Sequence, residues 1–199
     1  LKLLEEPPPG WLFILITQQA ERLLPTVLSR VVRLRFDAPD NSAVQQILKA
    51  KGITQNVQVL AALAGGSPGR ALSYNQADIF AIRREAFDLL KKLPLQNPFG
   101  YIAALGWGEK YDRASALLLT EQFIYLLRDV LLVQSGAGGQ VYNTDIMAGL
   151  DGIAADWPLH TARQGVNAAQ EAWQNINKNV SAKNVLEALV LKLDLLRKE

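Results

Sequence analysis

Six consecutive apolar residues, Trp11–Ile16 (WLFILI), follow three prolines and a glycine, and no other stretch constrains the chain so tightly. The run is aromatic and β-branched, with Gly10 before it and polar Thr17-Gln18-Gln19 after it. That pattern predicts a strand covered on both faces, as in a parallel sheet flanked by helices. Upstream, Leu1–Glu6 reads as the last turns of a helix that Pro7, Pro8 and Pro9 cannot continue, since proline lacks the N–H and clashes with the preceding turn. A parallel strand needs neighbours to supply its ladder. The run therefore predicts the edge of a cut-off α/β domain and, with Leu in place of Met at the start, the C-terminal portion of a longer protein. Pro25 fits the first position of a short helix, Pro25–Ser29, that ends at Arg30. Val31–Phe36 alternates apolar and basic residues, which suits a half-exposed edge strand.

Asp37–Asp40, with Pro39, reads as a linker, and the rest of the chain reads as helices. Asn41 or Ser42 can cap a helix to Lys51, stopped by Gly52. Thr54 opens a second helix that closes at Gly65-Gly66. Ser67 caps a third, with Pro68 at its first position, through Leu72; three such short helices make a bundle that is marginal alone. Longer helices are predicted over Gln76–Leu93, from Pro98 to a stop at Gly106 and Gly108, and over Glu109–Ser135. The last of these is about 27 residues or roughly 40 Å, and its wide apolar spread (Leu117, Leu118, Phe123, Ile124, Leu127, Leu131, Leu132) marks it as the buried pillar. Gly136–Asn143 reads as a flexible loop. Thr144 caps a helix to about Ala155, Pro158 starts another to about Asn177, and Ser181 caps the last.

Composition narrows the function. The 199 residues are 49% hydrophobic and 20% charged, within the globular range. Cysteine is absent, which removes disulfides and thiolate metal sites and suits a reducing cytoplasm. No apolar run nears the roughly 18–20 residues that span a bilayer. The net charge of +2 does not argue for nucleic-acid binding, although residues 1–75 hold 8 Lys/Arg against 5 Asp/Glu, which biases anion contacts to the first third.

Most motif matches fail on context. Gly65–Gly69 satisfies Gly-x-Ser-x-Gly, but helical spacing precedes it where a nucleophile elbow needs a strand. Gly136-Ala137-Gly138-Gly139 has Val141 where a dinucleotide loop needs its third glycine. No Gly-Lys-Ser/Thr phosphate loop occurs, lone His160 reads as a surface residue near a helix start, and metal-ligand clusters are absent. The candidate that survives is Ser29-Arg30. A guanidinium on a short rigid helix can reach a phosphate across an interface, where its planar fork neutralises charge on a transferred phosphoryl group. The plain alternative pairs Arg30 with a local carboxylate such as Glu21.

Read together, LEEPPP, the apolar run, Thr17, RLLPT and LSR resemble the clamp-loader branch of the AAA+ ATPases. Gly65–Leu72 (GGSPGRAL) and Asn179–Leu189 (NVSAKNVLEAL) extend the likeness. The resemblance implies a mainly α fold in three parts. Residues 1–37 are a truncated AAA+ α/β remnant, 38–75 a small three-helix lid, and 76–199 a helical collar for oligomerisation. It implies a non-hydrolysing stator in the bacterial clamp loader, which supports ATP-dependent loading of the sliding clamp onto primed DNA during replication. Arg30 corresponds to an arginine finger acting in trans on a neighbour's ATP, with Ser29 and Pro25 supporting it and Val31 in place of the family's cysteine. Thr17 matches the first sensor and Arg70 the second, framed by Gly66, Ser67 and Gly69. A stator has no nucleotide of its own to read, so both sensors are expected to be structural.

The implied partners are the other subunits of a hetero-oligomeric ring, neighbour-bound ATP, and the clamp and DNA through the complex. No cofactor, metal or membrane contact is expected, and no catalysis by this stretch alone, though the assembly belongs to a polymerase, a nucleotidyltransferase complex. Leu195, Trp173 and Tyr125 look surplus and could serve the ring, or could equally be core. Two alternatives remain. One is a helical scaffold unrelated to ATP; the other is an ATP-binding motor subunit, should the preceding sequence carry a phosphate loop. The unpartnered run Trp11–Ile16 is also expected to promote self-association.

Overall fold

Proline, glycine and short polar side chains punctuate this chain, and many of the helices begin or end at them. The computed structural model describes residues 2–17 and 19–198. Leu1 of the expected helix tail and the polar bound at Gln18 lie outside the described residues, as do Glu199 and the side chains of Gly108 and Glu109. The chain divides into two units, Leu1–Asp37 and Ala38–Glu199.

The first unit has short helices, α1 (Lys2–Glu5) and α2 (Pro25–Leu28), with a 3-10 turn at Ala20–Arg22. Here the structure corrects the strand expectations. Trp11–Ile16 forms no ladder, and Val31–Phe36 forms none either. Backbone donors and acceptors in a strand are satisfied only by a neighbouring strand, and none is found among the described residues. The apolar side chains are left in solvent, with Leu12 81%, Ile16 93% and Phe36 90% exposed. Mainly α is the observed class; the expected α/β remnant shows no sheet among the described residues.

The second unit is wholly helical. Asp40 caps α3 (Asn41–Ala50) by accepting from Ala43 N at 2.7 Å, so the cap lies one residue ahead of the expected Asn41 or Ser42. This hydrogen bond and one from Ser42 hold the Asp40 carboxyl below its usual range. Helix α4 (Val57–Ala64) begins after left-handed Asn56, later than Thr54. Gly66 has φ of +81°, and a Cβ there would meet Pro39 O at 2.7 Å, so only glycine fits this close crossing. Ser67 Oγ accepts from Arg70 N at 3.3 Å and caps α5 (Pro68–Gln76), which runs past the expected Leu72.

Helix α6 (Ile79–Lys92) is followed by α7 (Pro98–Leu105), which Asn97 caps, and α8 (Trp107–Lys110). The long helix α9 spans Arg113–Gln134, shorter than Glu109–Ser135. Tyr111 is extended, and Asp112 caps Ser115 N at 2.8 Å, which makes a clean start there. Helices α10 (Met147–Asp156), α11 (Leu159–Asn177) and α12 (Ala182–Leu196) complete the unit. Neither Thr144 nor Ser181 serves as the expected side-chain cap: Thr144 opens a 3-10 turn, Thr144–Ile146, and Ser181 makes no capping bond.

Helix α9 is the pillar. It packs against α6, α10, α11 and α12. Leu119, Phe123, Leu126, Leu127 and Val130 are fully buried, while Leu117, Leu118, Ile124, Leu131 and Leu132 pack around that core. Each large side chain removed from water contributes about 1.5–3 kcal/mol. Helix α11 turns a small-residue face to this core through Gly165, Ala168, Ala169 and Ala172. A Cβ at Gly165 would meet Leu127 Cδ1 at 3.1 Å, so the absence of a side chain lets the two helices approach.

Candidate functional site

Arg30 lies two residues past the end of α2. Pro25 opens that helix, where its missing N–H costs nothing, and Ser29 ends it with its N–H on Pro25 O at 3.0 Å. The Ser29 hydroxyl donates to Thr26 O at 3.2 Å. The Arg30 side chain folds back over this turn. Its Nη1 donates to Thr26 O at 2.7 Å and to Ser29 Oγ at 3.3 Å, while Nη2 meets Glu5 Oε1 at 2.6 Å. The carboxylate partner is thus Glu5, at the end of α1, not Glu21. Both side chains of the pair keep a third or more of their surface in water. Thr17 is exposed, and its hydroxyl accepts from Gln19 N at 3.0 Å, a local turn contact.

Arg70 belongs to the second unit and is held by three side chains, with 38% of its own side chain in water. From the first turn of α5 its Nε donates to Tyr74 Oη and Nη2 to Tyr125 Oη, both at 2.6 Å, and Nη2 also pairs with Glu121 Oε1. The Tyr74 hydroxyl donates in turn to Glu121 Oε2. Burial opposes the charge on Arg70, but Glu121 and the two phenols outweigh it and raise its pKa. Burial, then the hydrogen bond to Glu121, pushes the Tyr74 phenol far above its ordinary range. These contacts join α5 to α9. Tyr125 is accordingly no surplus residue; its hydroxyl belongs to this cluster and its ring packs edge-on against Tyr142. Trp173 and Leu195 are exposed, Leu195 by 61%.

One polar cluster had no signal in the sequence. Asp129, fully buried in α9, accepts from Asn143 N at 2.9 Å and Asn143 Nδ2 at 2.7 Å, and from Tyr142 N at 3.1 Å. Arg83 of α6 reaches the same loop, donating to Asn143 Oδ1 at 3.0 Å and forming a forked pair with Asp145. The segment between α9 and α10 is thereby pinned at Tyr142–Asp145. No group of three potential metal ligands occurs among the described residues, and none of the described helices is long and apolar enough to cross a membrane.

Residues 1–40, which carry Arg30 and its supports, match the family described as DNA polymerase III, delta subunit. Over 172 residues, 84% of this chain, the sequence is 33% identical to DNA polymerase III subunit delta′ of Escherichia coli. The chain is related to DNA polymerase III subunit delta′. A second delta′ subunit, from Bacillus subtilis, is 25% identical over 97% of the chain, and one from Pseudomonas aeruginosa is 32% identical over 62%. The chain spans 60%, 48% and 37% of the Bacillus, Escherichia and Pseudomonas subunits, about half the length of these relatives. The likeness to delta′ covers both units, so the helical second unit is part of what is shared.

Proposed function

We propose that this protein is a clamp-loader subunit in bacterial DNA replication, a non-hydrolysing stator. It would sit in a hetero-oligomeric ring that uses ATP on neighbouring subunits to open the sliding clamp and place it on primed DNA. The observation that carries the reading is the delta′ likeness across 84% of the chain at 33% identity. Within it, 38–75 acts as the lid and 76–199 as the collar, where exposed Trp173 and Leu195 are available to neighbours. Arg70 ties lid to collar and, like Thr17, reads no nucleotide. No cofactor is assigned to this stretch, and ATP belongs to the neighbour.

Arg30 is the group offered to that ATP. Its exposed pairing with Glu5 is of the kind worth about 0–1 kcal/mol, so it yields to a multiply charged phosphate. Full-length protein carrying Arg30→Ala, in a loader reassembled with its partner subunits, should show clamp- and DNA-stimulated ATP turnover reduced by about tenfold or more. Wild-type turnover from that variant rejects the finger. The scaffold reading draws on the same self-pairing of Arg30, and light scattering separates the two: a scaffold unrelated to ATP forms no complex with the loader's motor subunits.

A further inference from the structure

The guanidinium of Arg30 is already in use. A guanidinium engages a phosphate by presenting adjacent N–H groups as a fork. Here one terminal nitrogen is held by Thr26 O and Ser29 Oγ, and the other by Glu5 Oε1. These bonds bend the side chain back onto its own helix end. To present its Nη1–Nη2 fork to a phosphate outside the unit, Arg30 must release Nη2 from Glu5. The pair is open to water, with 34% of the Arg30 side chain and 45% of the Glu5 side chain exposed, so the hold is weak and screened by salt.

We propose that Glu5 is a latch on Arg30: a carboxylate supplied by the same chain that competes with the neighbour's nucleotide for the guanidinium. This rests on the reading of Arg30 as the finger. In the free subunit the latch is closed and the arginine is parked. A polyphosphate carries several negative charges where Glu5 carries one, and its arrival opens the latch. Glu5 thereby sets a threshold of phosphate density below which Arg30 stays at home.

The test uses the full-length protein in the reassembled loader, with ATP varied at low and high salt. Glu5→Gln removes the competing charge and keeps the shape, and should lower the ATP concentration at half-maximal turnover about two- to fivefold, with kcat unchanged. The difference from wild type should shrink as salt rises. Glu5→Asp, which retains the charge, should stay nearer to wild type. An unchanged half-maximal concentration for Glu5→Gln, with Arg30→Ala still impaired, overturns the latch and leaves the finger standing. A raised half-maximal concentration or a lowered kcat also overturns it, since Glu5 would then be steadying the arginine. If Arg30→Ala is itself without effect, finger and latch fall together.

Discussion

Residues 11–16 and residues 123–127 are both dense in large apolar side chains, yet the first group lies in solvent and the second is mostly buried. Leu12 and Ile16 are 81% and 93% exposed, whereas Phe123, Leu126 and Leu127 are completely buried. Hydrophobicity is the same in kind, so it does not explain the difference. A helix satisfies its own backbone and needs only a packed face, which α6, α10, α11 and α12 supply to α9. A strand must borrow its backbone partners, and the first unit contains none among the described residues. No described residue of 2–37 is buried, while the second unit holds one continuous core.

The largest expected effect tests that contrast directly. Phe123→Ala should cost about 3–5 kcal/mol in urea unfolding followed by helical circular dichroism. Leu12→Ala in the same chain should cost less than about 0.5 kcal/mol. A comparable loss at Leu12 would show that the first unit has a core of its own. Next in size, Asp129→Ala should cost about 3 kcal/mol, because it strands buried donors on Tyr142 and Asn143. Faster amide exchange at those two residues is the accompanying sign, and unaltered exchange would mean that the loop is held chiefly by Arg83. The smallest effect sharpens the picture of the filled unit. Gln122 is fully buried in α9, and neither its Oε1 nor its Nε2 has a hydrogen-bond partner among the described residues. Gln122→Met should therefore stabilise the protein by about 1 kcal/mol in the same unfolding assay, and a loss of stability would reveal a partner for that amide.

Much of the second unit was legible residue by residue. Gly52, the Gly65-Gly66 pair, Ser67-Pro68, Pro98 and Gly106 mark helix ends through local chemistry, a left-handed φ, a capping side chain or a proline at the first position, and each ends or begins a helix. Errors of a few residues arose where a cap competes with continuation. Asp112 is the example: it stops the backward extension of α9 that apolar spacing suggested. At the candidate site, Ser29-Arg30 on a proline-started turn was readable because all its parts lie within a few positions. Glu5 was not, since Glu21 is nearer in sequence and only the path of the chain brings Glu5 to 2.6 Å. The Asp129–Asn143 and Arg70–Glu121 clusters were hidden for the same reason.

By itself the sequence determined the helical class of residues 38–199, the placing of most helix ends and the kinship carried by its short motifs, because each depends on bonds between near neighbours. Only the tertiary structure decided which apolar residues are sealed, which carboxylate holds Arg30 and how Arg70 joins α5 to α9. Those outcomes depend on groups distant in the chain meeting in space, where burial and charge pairing act on proximity and not on order.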